Sequence, residues 1–287
     1  MLKNEPEKFL QYGPLQGVTK KVLKWNFLIE TMDPDAVYLD CRSEEQYNLS
    51  SIRGAHGAAF IKKPFGSGPN SVMTLSNFLR SVKSIVKDGN QVVVFDEGEG
   101  MYASRMLWLL YGIGISQAKL LAIRFVDIAP EMLGEGAGQI TAASETKSIE
   151  IKGTIPVSYV QKNLTKMQIL DVRMPEEYQG SLPRMVNPEI GSVCGRIPGS
   201  INWDWRRLYG LDGHLKSKVE MISDIRSIGL IQERPTMIYD FNGARSCTTA
   251  LVLTRCGYRD VNVYLGSWME WRKTDLPKQN VRIWRGD

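Results

Sequence analysis

Short apolar runs alternate with longer amphipathic stretches along most of the chain. "QVVVF" (residues 91–95) and "TMIY" (236–239) are rich in β-branched and aromatic residues and too short for helices, which predicts buried strands. Elsewhere Leu75, Phe78, Leu79, Val82 and Val86 recur at helical spacing, as do Val219, Ile222 and Ile225. Gly229 and Gly257 stand where glycines terminate helices. Alternating β and α units predict an α/β fold, with parallel sheets covered by helices on both faces.

The pattern also repeats. "LDCRSEEQY" begins at Leu39 and "LDVRMPEEY" at Leu170; they share Leu-Asp-x-Arg and then Glu and Tyr at equal offsets. Similar turns follow, "SIRGAHG" from Ser51 and "RIPGSIN" from Arg196. Next come "VVVFD", ending at Asp96, and "TMIYD", ending at Asp240. The order is the same in both, with an insertion between Tyr178 and Arg196. A repeat this long predicts two tandem α/β domains, 1–143 and 144–287, rather than a solenoid. The Gly-, Ala-, Ser- and Thr-rich segment "EMLGEGAGQITAASETKS" (131–148) reads as the linker.

Composition changes this picture little. The 287 residues are 43% hydrophobic and 23% charged, as in ordinary globular proteins. The net charge of +5 is scattered, with no basic tract for nucleic acid. The apolar run "MLWLLYGIGI" is about half the length of a membrane span. "MLKNEPEKFLQYGP" carries acids and lacks an apolar core, so it reads as neither a secretory signal nor a transit peptide. Cys41, Cys194, Cys247 and Cys256 show no paired spacing, and His56 and His214 are far apart. The expectation is a cytoplasmic protein with reduced thiols, no metal, no cofactor, and no nucleic-acid or membrane partner.

Candidate chemistry concentrates in "MIYDFNGARSCTTALVL", Met237 to Leu253, which reads as strand, tight loop and helix. In an open parallel sheet, ligands sit beyond the C-terminal strand ends. There Gly243 permits close approach or a positive φ, the helix adds its positive end, and Arg245 adds a full charge. The loop suits an oxyanion; an ordinary strand-to-helix turn explains it equally well.

Four motifs, agreeing in order and spacing, together resemble the rhodanese (thiosulfate sulfurtransferase) family in its two-domain form. They are "LDxRxxxEY", "RIPGSIN", "YDFNGARS" and "VYLGSWMEW" (263–271), the last with Leu265 where an acid is usual. The resemblance implies a first domain without a nucleophile and a second whose loop cysteine carries sulfur as a persulfide. Carried over, the nucleophile position is Asp240, the anion-binding loop is Phe241, Asn242, Gly243, Ala244 and Ser246, and the arginine is Arg245. The first domain has Asp96 at the same place and a longer loop to Arg105. Arg184 and Arg196 are the substrate-binding candidates; Arg196 replaces a usual histidine. Glu177 replaces a second anchoring arginine, which opposes a carboxylate substrate. Asp40 with Arg42, and Asp171 with Arg173, read as internal ion pairs.

Aspartate cannot do the thiolate's work. Persulfide chemistry needs a soft sulfur, and a carboxylate is a hard oxygen base. Asp240 is instead expected to accept the loop amides, pair with Arg245 and fill the site itself. The leading reading is a homologue without persulfide turnover that binds a small sulfur-containing anion or a protein partner. The alternatives left open are a sulfurtransferase using another thiol, Cys247 or Cys194, or an atypical step at Asp240; a purely structural subunit of a sulfur-handling complex; and an engineered Cys-to-Asp form of an active enzyme. Cys247 reads first as a buried core residue, as do Cys41 and Cys256, and Trp203 and Trp205 as core packing beside Asp204.

Overall fold

The computed structural model describes residues 25–86, 90–181 and 194–279. Its N-terminal part contains strands β1 (Leu28–Ile29), β2 (Val37–Asp40), β3 (Ser51–Ile52), β4 (His56–Gly57), β5 (Val92–Phe95), β6 (Lys119–Leu121), β7 (Leu133–Gly134) and β8 (Gly138–Gln139). Helices α1 (Glu44–Leu49), α2 (Pro69–Ile85) and α3 (Met101–Gly112) connect them. Six strands form a parallel sheet in the order β1-β6-β5-β2-β4-β8, and β3 pairs with β7 as a separate antiparallel ribbon.

The C-terminal part contains β9 (Gln168–Asp171), β10 (Ser200–Asn202), β11 (Thr236–Tyr239) and β12 (Val261–Val263). Its helices are α4 (Val157–Asn163), α5 (Pro175–Gln179), α6 (Lys218–Ser227), α7 (Ala244–Arg255) and α8 (Ser267–Trp271). The four strands are parallel, in the order β10-β9-β11-β12. This is the order of β4-β2-β5-β6 in the first sheet.

Side-chain alternation sets the layers. On β5, Val92 and Val94 face the same core as Leu39, while Val93 and Phe95 face the opposite side. On β11, Ile238 joins the first core, and Met237 and Tyr239 pack with Tyr264, Trp268 and Trp271. The inner faces of both sheets thus contribute to one core, bridged by α3 packed on α7. Residues 103–110 of α3 and 244–253 of α7 are all buried, as a helix enclosed on every side must be.

Several expectations change. The outer face of the six-stranded sheet is covered by single turns at Phe125–Asp127 and Pro130–Met132 and by the β3–β7 ribbon, rather than by long helices. The glycine-rich segment read as a linker contributes β7 and β8. Its small residues serve packing: a Cβ on Gly136 would lie 2.1 Å from the Tyr47 hydroxyl, which donates to the Ala55 carbonyl and accepts the Gly138 amide. The spacing of Val219, Ile222 and Ile225 does mark a helix, capped by Ser217 and Glu220. Val219, in its first turn, is nevertheless 78% exposed, and Met221 packs inward with Ile225 instead. Gly229 (φ +80°) and Gly257 (φ +97°) do close α6 and α7 in the left-handed region.

Candidate functional site: a loop closed around Asp240

β11 ends at Tyr239 and α7 begins at Ala244, so four residues make the turn. Gly243 takes φ +86°, and a Cβ there would lie 2.6 Å from the Leu265 carbonyl oxygen. Only glycine meets both conditions without strain.

The Asp240 side chain is fully buried and points into this turn. Its Oδ1 accepts the amides of Asn242 (2.7 Å) and Gly243, and its Oδ2 accepts the Ser246 amide at 3.0 Å. Burial alone would raise its pKa. Arg245, the Gly243 amide, Arg105 and the Ser246 amide together outweigh that effect and hold the carboxyl below its ordinary value of 3.8. The ring that suits a bound anion is filled by the chain's own carboxylate. Phe241 is buried beside Tyr239, Tyr264 and Trp268, and Asn242 remains half-buried.

Arg245 pairs with Asp240 as expected, but a second carboxylate holds it more closely. Its closest carboxylate is Glu177, held through two hydrogen bonds of 2.7 and 3.1 Å, while Asp240 lies 3.8 Å from its Nε. Glu177 sits in the first turn of α5, where its Oε2 also accepts the Met174 amide. That cap orients it toward the Arg245 fork, and a bidentate pair outcompetes a single longer contact. Both partners are buried.

The first sheet carries a matching turn. Asp96 follows β5, and its carboxylate accepts the amides of Gly98, Gly100, Tyr102 and Ala103 at 2.9 to 3.1 Å. Gly100 and Gly243 both precede their helices in the left-handed region. Counting from these caps puts Tyr102 opposite Arg245 and Arg105 opposite Thr248. Arg105 is therefore not the counterpart of Arg245. It is wholly buried and donates to the Asn242 carbonyl, in the second loop. Sequence reasoning missed this contact. The available signal was a lone charge inside the apolar stretch "MYASRMLWLL", which must find partners when buried.

The other candidates separate from the loop. Arg184 lies outside the described residues. Arg196 stacks 4.3 Å over the Tyr178 ring and reaches Gln279, with which its backbone also pairs. Asp40–Arg42 and Asp171–Arg173 are buried ion pairs at 2.6 Å. Trp203 is core, and Trp205 meets Tyr209 edge-on at 5.8 Å. Cys247 is buried, donates to the Gly243 carbonyl, and has its thiol pKa pushed up by burial and by Asp240, against Arg105. Burial raises Cys41 well above the ordinary range and Cys256 to about 11. Cys194 is half-buried, against Gly180. Among the described residues, no cluster of His, Cys, Asp and Glu could hold a metal ion, and no helix is long and apolar enough to cross a membrane.

Residues 157–274 match the family model described as "Rhodanese-like domain". The chain is 26% identical over 211 residues to 3-mercaptopyruvate sulfurtransferase of Mus musculus, spanning 70% of this chain and 69% of that protein. It is 28% identical over 207 residues to thiosulfate sulfurtransferase of Mus musculus, spanning 68% and 67%. A crystal structure of a probable thiosulfate sulfurtransferase has the same fold, with a TM-score of 0.61 at 22% identity over 87% of this chain and 99% of that one. The motifs around Asp171 and Asp240 thus lie within the stretch that matches the rhodanese-like domain, in a chain similar in sequence to sulfurtransferases.

Proposed function

We propose that this chain is a tandem rhodanese-like protein without persulfide turnover, which recognises a partner in sulfur handling. One observation carries the reading: the Asp240 carboxylate already accepts the three loop amides that a bound or reacting anion would need. A carboxylate has no sulfur to form the persulfide bond, and its charge repels a second anion from the ring. Cys247 does not replace it, because its buried thiol resists ionisation. The Glu177–Arg245 pair puts a carboxylate where a carboxylate-bearing donor would need a cation. With the ring filled, a protein partner is favoured over a small anion held at the loop. The common order of β4-β2-β5-β6 and β10-β9-β11-β12, each with an aspartate-filled turn, supports the tandem form and the division near residue 144.

Incubation with thiosulfate followed by intact-mass measurement tests this. The parent should gain no sulfur and release no thiocyanate with cyanide. Asp240→Cys should gain one sulfur: its thiolate attacks the outer sulfur of thiosulfate, the S–S bond breaks and sulfite leaves. Cyanide then removes that sulfur as thiocyanate and restores the thiolate. Sulfur on Cys247 or Cys194 of the parent would overturn the proposal. A folded Asp240→Cys protein that stays unmodified, while Asp240→Cys/Glu177→Gln reacts, would locate the remaining block at Glu177.

A further inference from the structure

Helix α3 carries one charge in its buried middle. Arg105 is its fifth residue and is 0% exposed. A guanidinium taken out of water requires acceptors and compensating charge. Two acceptors are local: its Nη1 donates to the carbonyls of Ile61 (2.8 Å) and Lys63 (2.9 Å). The third lies in the other part of the molecule, where its Nη2 donates to the Asn242 carbonyl. The rings of Phe65 and Tyr102 lie 5.4 and 5.8 Å from the guanidinium.

The Asn242 carbonyl shares its peptide unit with the Gly243 amide. In a planar trans peptide, C=O and N–H point in opposite directions. Fixing the carbonyl on Arg105 therefore turns the Gly243 N–H the other way, and there it donates to Asp240. The peptide is a two-ended bridge, with a cation on its oxygen and an anion on its hydrogen, so each contact polarises the unit in favour of the other. The relation is one-sided: the same position on α7 is the uncharged Thr248.

We propose that Arg105 is a positioning residue that the N-terminal part lends to the Asp240 loop. By holding the Asn242 carbonyl it aims the Gly243 amide at the anion at position 240, so that this anion and the docking of the two sheets stabilise each other. The inference rests on loop geometry alone and holds whether or not the protein turns sulfur over. The groups facing Asp240 are Arg245 and Cys247 of α7 and Arg105 of α3; Arg245 in turn faces Glu177 of α5 and Asp171 at the end of β9.

The test uses the full chain and its Arg105→Met, Arg105→Lys, Asp240→Asn and Arg105→Met/Asp240→Asn variants. Carbon-13 NMR follows the Asp240 carboxyl, and urea unfolding follows stability. Arg105→Met should raise the pH at which Asp240 titrates; Arg105→Lys, keeping the charge but not the fork, should raise it less. The double variant should lose less stability than the sum of the single losses. Additive losses together with an unmoved Asp240 titration would reduce Arg105 to packing and overturn the proposal. If Arg105→Met does not fold, the Arg105→Lys titration decides alone: an upward shift supports the proposal, and none overturns it.

Discussion

A carboxylate at position 240 tolerates complete burial because three amides and two guanidiniums meet its charge. Asp240→Asn keeps the shape, removes the charge, leaves Arg105 short of an anion and leaves Arg245 with Glu177 alone. We expect it to cost about 3 kcal/mol in urea unfolding near pH 7, the usual scale for breaking a buried charge pair. The pH dependence has a definite sign. The folded pKa of Asp240 lies below 3.8, so its stabilising share is complete above that value and lost as the pH falls through the lower, folded value. The variant should therefore show a flatter acid limb than the parent below about pH 3.8. Thiol reactivity gives a second check. Cys41, Cys247 and Cys256 are buried with raised pKa values, whereas Cys194 is half-buried. A chromogenic disulfide should react promptly with one cysteine of the native chain and with all four in denaturant. Prompt reaction of Cys247 would mean that the loop opens.

The loop and α7 act as one element. Gly243→Ala places a Cβ 2.6 Å from the Leu265 carbonyl and forces a left-handed φ on alanine. Gly54 shares the positive φ (+72°), but a Cβ there would meet no atom within 4 Å. Gly54→Ala should therefore cost only the conformational penalty, about 1–2 kcal/mol, and Gly243→Ala clearly more. Equal losses would show that Leu265 yields freely. At the start of α6, Ser217→Ala removes the side chain that accepts the Glu220 amide, and should cost about 1 kcal/mol in thermal or urea unfolding.

The two sheets are joined by more than a linker. α3 and α7 are buried on all sides, and the Trp108 indole donates to the Gly153 carbonyl. Ser67 binds Glu270, and the Trp25 indole donates to the Lys216 carbonyl. The full chain should therefore unfold in one transition, coincident by far-ultraviolet circular dichroism and tryptophan fluorescence. A fragment of residues 148–279 would expose the apolar face of α7. It should bind a hydrophobic dye or self-associate in gel filtration, whereas a monodisperse, dye-free fragment would show that α3 is dispensable.

Strands, helices and their parallel arrangement were readable from the chain alone, because β5, β11 and α2 carry their periods in consecutive residues. So was the turn at Asp240, since the strand end, Gly243 and the helix start lie within a few positions. Local order also exposed the mismatch between an anion-holding loop and a carboxylate at its centre. Other features depend on residues distant in sequence. Glu177, rather than Asp240, became the main partner of Arg245 because capping α5 aims it across 68 positions. Arg105 reached Asn242 across 137 positions through the packing of α3 on α7. The glycines before residue 144 became strand and close contact because Tyr47 presses on Gly136. Periodicity records which face of an element is apolar; which buried charge answers which is settled when those faces meet.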